Sequence, residues 1–135
     1  PSGVSLEELE RIRMSAMRLF LEDYERGKAE NRYIYYELPN RLPYGDGYFD
    51  IGLSSHFLLM YTFLGYDFHV LAITEMLRVC KEVRIFPLGD LDGNNSELTD
   101  RIISFFEQSC NVRIKTTPYE FQKGANCLLV LNKRL

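Results

Sequence analysis

The chain has 135 residues, 46% hydrophobic and 13% aromatic, with a net charge of −3 at neutral pH. That is enough apolar material for one domain with a buried core, so residues 1–135 are read as a single domain. Lysines and arginines are scattered without a basic face, which argues against nucleic acid, and the longest apolar stretch, about residues 57–64, is too short to span a membrane.

Ser5 to about Glu30 is predicted as a long helix. Ser5 and Glu8 have capping-box spacing, and Leu6, Leu9, Ile12, Ala16, Met17, Phe20 and Tyr24 recur at three- and four-residue steps on one face. Gly27 weakens the helix near its end. Tyr33–Tyr36 reads as a short β-branched and aromatic strand, and Pro39 and Pro43 bound a connector. Gly45-Asp46-Gly47 has turn chemistry, and residues 49–54 (FDIGLS) then read as a strand.

Tyr66–Cys80 is predicted as a second helix, with Phe68, Ala72, Met76 and Val79 on one face. Residues 83–88 (VRIFPL) form a mostly apolar strand. A loop, GDLDGNNS, ends in residues suited to capping a third helix over 97–108. That helix carries Leu98, Ile102, Phe105 and Phe106 as its stripe. Val112–Thr117 alternates like an edge strand, whereas Cys127–Leu131 is continuously apolar like an interior one.

Strand–helix–strand units imply parallel pairing with right-handed crossovers. The short connector between the last two strands implies an antiparallel hairpin. The expected fold is therefore α/β, a mostly parallel sheet with a reversed terminal hairpin. Three distant cysteines (Cys80, Cys110, Cys127) make neither a disulfide framework nor a zinc pattern, and read as reduced core residues of a cytoplasmic protein. No signal-peptide pattern opens the chain, and Pro-Ser-Gly without methionine suggests a processed or recombinant start. No metal site is expected: Asp90, Asp92 and Asn94 have calcium-loop character, but their spacing breaks after Gly93.

Four segments carry a resemblance to a known family. Leu42-Pro43-Tyr44 is followed by Phe49-Asp50-Ile51-Gly52-Leu53, and then by Ser54-Ser55-His56-Phe57. Ala72–Val79 (AITEMLRV) precedes the next strand, and Tyr119–Gly124 (YEFQKG) lies in the last hairpin. In order and spacing these resemble the second half of the class I S-adenosylmethionine-dependent methyltransferases. The resemblance implies the C-terminal part of such an enzyme, with a partial site for S-adenosylmethionine formed by Asn40, Leu42, Ser54, Ser55 and His56. Asn40 takes the place of an acidic residue near the adenine amino group, since neighbouring Arg41 cannot accept a hydrogen bond. His56 is the candidate proton acceptor. Tyr61, Tyr119 and Phe121 are implied to line the pocket for a methyl acceptor.

The family's Gly-rich turn after its first strand has no counterpart among the nine glycines. The chain is therefore expected to begin at the helix before the family's third strand. It would leave a sheet edge open for a second copy, as a homo-oligomer, or for a missing N-terminal half. The alternative reading is a non-catalytic α/β module that assembles through this edge. Each candidate also has an unspecialised reading: Ser54 and Ser55 as caps with His56 packed on Phe57 and Tyr61, Asn40 as solvated loop, and Tyr119 and Phe121 as ordinary hairpin aromatics. His69, at a helix start, is read as partly buried surface. The tyrosines at 33, 35 and 36 are read as strand surface.

Overall fold

The computed structural model describes residues 3–134. Two compact units divide the chain, one ending at Tyr36 and the other starting at Glu37.

The first unit is built on helix α1 (Leu6–Ala29). Ser5 caps it, its hydroxyl accepting the Glu8 N–H at 3.1 Å. The return stroke is Arg32 and Tyr33. Arg32 grips the Asp23 carboxylate through two nitrogens at 2.6 and 2.8 Å, and the Tyr33 hydroxyl donates to the same carboxylate. The Tyr33 ring packs edge-on to Phe20 and beside Tyr24. Gly27 makes this possible, since a Cβ there would collide with the Tyr33 ring. The glycine therefore admits Tyr33 rather than ending the helix. Residues 33–36 join no strand, contrary to the sequence expectation. Their aromatic side chains suit a sheet, but Tyr33 is held instead by its contacts with Asp23, Phe20 and Tyr24 on α1.

The Arg32 guanidinium beside Asp23 holds its carboxyl down at about 2, against an ordinary value of 3.8. A carboxyl depressed in the folded state stabilises above its unfolded value, and that contribution disappears as pH falls through the folded value. We expect the far-UV signal of α1 to hold down to about pH 4 and to decline between there and pH 2. Asp23→Asn should abolish that step.

The second unit contains strands β1 (Phe49–Ser55), β2 (Cys80–Phe86), β3 (Cys110–Thr116) and β4 (Cys127–Lys133), with helices α2 (Tyr66–Val79) and α3 (Glu97–Glu107). The sheet order is β1-β2-β4-β3. β1 and β2 are parallel, and β4 is antiparallel to both neighbours. This is an α/β fold, but the sheet is mixed rather than mostly parallel, because only one of its three pairings is parallel. The reversed strand also lies inside the sheet, not at its end. The connector of residues 117–126 forces β3 and β4 to be antiparallel. β4, whose Leu129, Val130 and Leu131 are all fully buried, then takes the interior place, and β3, with outward Arg113 and Lys115, takes the edge.

One core unites helices and sheet. Ala72, Ile73 and Leu77 of α2 join Ile102 and Phe106 of α3 over Val83 and Ile85 of β2 and Leu129 and Leu131 of β4. The buried face of α2 is centred on His69, Ala72, Ile73 and Leu77, which turns Phe68 and Met76 to its flanks. On the opposite face of the sheet, Glu82 accepts from Arg84 at 2.7 Å and Asn132 at 3.2 Å. The Asn132 amide and the Arg84 guanidinium hold the Glu82 carboxyl below its usual range. Gly52 of β1 makes room for the first residue of β2: a Cβ there would lie 2.5 Å from the Cys80 sulfur. All three cysteines are unpaired, Cys80 and Cys110 buried and Cys127 half-buried.

Candidate functional site at the carboxyl end of β1

Ligands of open α/β sheets sit outside the carboxyl ends of parallel strands. Among the described residues β1 and β2 are the only parallel pair, so the candidate site lies among the loops at their carboxyl ends.

The ladder runs one step past β1: the His56 N–H donates to the Phe86 carbonyl at 2.7 Å. His56 then turns into the left-handed region at φ 60°. For a side chain of this kind the conformation is uncommon and costs on the order of 1 kcal/mol, and such residues gather at functional sites. Its Nδ1 meets the Ser55 hydroxyl at 2.5 Å, and its Nε2 is buried with no hydrogen-bond partner in the protein. The ring stands edge-on to Phe86, with centroids 5.6 Å apart, and to Phe121, 4.4 Å apart. A buried ring nitrogen without a partner among its own chain's groups is a position that a ligand atom can satisfy.

The hairpin between β3 and β4 delivers Phe121. Thr117 closes it, its hydroxyl donating to the Tyr119 carbonyl, and the Phe121 N–H donates to Ala125 at 3.1 Å. The Gln122 side chain ties the tip to the loop after β2 through the Leu91 carbonyl. Tyr119 lies over Phe86 with centroids 5.9 Å apart. Tyr61 stacks obliquely on Phe57 in the loop after β1.

His56 and Phe121 are thus in direct contact, and Phe86 joins both His56 and Tyr119. Phe86 itself was not singled out from the sequence. Its signal was there, as the last strand residue before Pro87 and a Gly-Asp loop, the same strand-to-loop transition that drew attention to Ser54–His56.

Asn40 and Leu42 lie elsewhere. The Leu42 N–H donates to Glu75 at 2.7 Å, and its carbonyl accepts from Arg78 at 3.0 Å. Arg78 also binds the Tyr44 carbonyl, Asp46 and Glu75, and its own carbonyl accepts the Gly47 N–H. Arg78 and, secondarily, the Leu42 N–H hold the Glu75 carboxyl below its usual range. This cluster lies where α2 runs into β2, at the amino end of β1, about 20 Å of strand from Ser54. Asn40, two residues before Leu42, is within about 7 Å of it along the chain. The two ends of β1 therefore divide the five residues that the resemblance assigns to one cofactor.

Two other expectations change. His69 is fully buried, not surface. Its Nε2 accepts the Leu59 N–H at 3.0 Å and its Nδ1 faces the Gly65 carbonyl at 2.7 Å, which fixes the proton on Nδ1. It thereby pins Leu59, itself at φ 72°, in the loop that carries His56. In the loop after β2, the Asp90 carboxylate accepts the N–H groups of Asp92 and Asn94, a closed turn. Among the described residues no group of three or more His, Cys, Asp or Glu is arranged to hold a metal ion, and no helix is long and apolar enough to cross a membrane.

The chain is similar to the uncharacterized protein MJ0045 of Methanocaldococcus jannaschii, with 37% identity over 130 residues. The match covers 96% of this chain and 56% of the archaeal protein, so the chain spans a little over half the length of that relative. No family model matches the sequence, and no solved structure matches it.

Proposed function

We propose that the chain is the C-terminal part of an S-adenosylmethionine-dependent methyltransferase. The observation that carries this reading is the strand arrangement. Two crossover-linked strands are followed by a hairpin with a reversed last strand, and a strained His56 stands at the carboxyl end of β1.

At the carboxyl end of β1 the Ser55 hydroxyl meets His56 Nδ1, which leaves His56 Nε2 as the buried polar atom that a ligand would engage. Asn40 and Leu42 do not fit the same molecule, because the Leu42 amide and carbonyl are already committed to Glu75 and Arg78. S-adenosylmethionine, when bound, supplies an electrophilic methyl group. The residues of this chain position the acceptor beside it. Phe86, Tyr119 and Phe121 offer aromatic surface to the acceptor, and His56 Nε2 takes its proton. His69 acts on this wall only through the Leu59 turn.

The reading is tested by calorimetric titration of the chain with S-adenosylhomocysteine. The expected result is saturable micromolar binding that weakens in His56→Ala and is unchanged in Asn40→Ala. A folded chain that takes up no ligand removes the methyltransferase reading. It leaves the other one, an α/β module whose activity is assembly, which the open β1 edge favours.

A further inference from the structure

The tip of the β3–β4 hairpin is braced from within but loosely seated. The Thr117 N–H donates to the Asn126 carbonyl at 2.7 Å, the Ala125 N–H donates to the Gln122 carbonyl at 2.7 Å, and the Glu120 carboxylate accepts the Gly124 N–H. Among the described residues a single hydrogen bond joins residues 117–126 to the rest of the chain. It runs from the Gln122 side-chain amide to the Leu91 carbonyl and is long, at 3.3 Å. Beside it, Phe121 lies against His56 and Tyr119 against Phe86. Phe121 stays 40% exposed and Tyr119 56%, so seating the tip buries only part of each ring.

The same seat encloses two polar atoms that no group of the chain satisfies. One is His56 Nε2, on the ring that Phe121 and Phe86 meet edge-on. The other is Gln122 Oε1, where that side chain comes up against Gly93. Among the described residues these are the only buried side-chain nitrogen or oxygen atoms without a partner. Folded interiors pair such atoms, because burial without a partner costs the atom its hydration.

We infer that residues 117–126 are a flap over the candidate site, hinged where the ladder ends at Thr116 and Cys127, and that a ligand reaches His56 Nε2 only while the flap is lifted. The internal bonds make the tip move as one piece. Lifting it returns water to both unsatisfied atoms, so the closed seat is opposed by their lost hydration. A ligand that hydrogen-bonds Nε2 removes one of these costs and thereby favours closure over itself. The inference rests on the reading of His56 in the proposed function and adds a control of access to it.

The geometry allows the flap to be locked. A Cβ on Gly93 would stand 3.8 Å from the Gln122 Cβ, within the roughly 3.5–4.5 Å that a disulfide spans. The whole chain carrying Gly93→Cys and Gln122→Cys is compared oxidised and reduced, so that the strain of a side chain at φ 80° is common to both states. Diethyl pyrocarbonate, which acylates a neutral imidazole nitrogen, reads access to His56 by peptide mass. His69, the other of the chain's two histidines, is buried with both nitrogens engaged and serves as the control. Acylation of His56 is expected in the wild type and the reduced variant, slowed about tenfold or more by oxidation, with His69 slow throughout. Phe121→Ala, which takes the ring off His56, should speed it. Equal rates in the oxidised and reduced chains overturn the inference. So do an unreactive His56 in the reduced chain, an unchanged rate in Phe121→Ala, or failure of the two thiols to join. The reagent needs no cofactor, so the two readings fail separately. A gated His56 without S-adenosylhomocysteine binding sinks methyl transfer and keeps the flap, whereas binding by a chain whose lock leaves His56 equally reactive does the reverse.

Discussion

His69→Ala is expected to destabilise the second unit by roughly 3 kcal/mol, a large part of the 5–15 kcal/mol typical of a domain. The imidazole is fully buried and engaged at both nitrogens. Its removal strands the Leu59 N–H, whose left-handed backbone cannot turn to find another acceptor, and leaves a cavity beneath α2. His69→Gln keeps an acceptor of similar reach and should recover part of the loss. Urea unfolding reads both, as a lower midpoint at unchanged slope. A shift below about 1 kcal/mol would mean that the Leu59 turn holds itself. Amide exchange should report a second effect, with the loop of residues 56–60 opening well below the denaturant concentration that unfolds the sheet. That separation is expected because His69 is the tie between α2 and the loop that carries His56.

The second large effect comes from the order of the strands. Leu131→Ala, in the interior strand, should cost about 2–5 kcal/mol through lost burial and an unfilled cavity. Leu53→Ala, in the edge strand, should change the isolated chain by no more than about 0.5 kcal/mol. Both are leucines in strands of seven residues, and neither composition nor strand propensity separates them. What differs is coverage. Leu131 is fully buried opposite Val83 and Val112, whereas Leu53 is mostly exposed opposite Arg84. Similar losses at the two sites, read from thermal or urea unfolding, would show that β1 is covered in solution.

Several elements were legible in the chain alone because their causes are local. The α1 and α3 boundaries follow from Ser5 and Ser96, whose hydroxyls accept the Glu8 and Thr99 N–H groups. The alternation of β3 and the apolar run of β4 announced edge and interior. At the candidate site, Ser54–His56 stood out as a strand-to-loop transition, and Tyr119 and Phe121 as aromatics in a hairpin.

By itself, then, the sequence determined helix caps, turns and the α/β class, all set by residues within a few positions of one another. It did not determine the helix faces: the predicted stripe of α1 (Leu6, Ile12, Met17, Phe20) is exposed and that of α2 is recentred on Ile73 and Leu77. Only the tertiary structure decided what depends on distant partners. It inserted β4 between β2 and β3, because a strand of buried leucines needs neighbours on both sides. It left residues 33–36 outside any strand, with Tyr33 held by Asp23, Phe20 and Tyr24 of α1. It divided Asn40 and Leu42 from Ser54–His56, because Arg78 and Glu75, more than thirty residues beyond Leu42, hold that connector at the other end of β1. It also brought Phe121 onto His56 from 65 positions away, a contact that no local pattern encodes and that only closure of the hairpin over the sheet end creates.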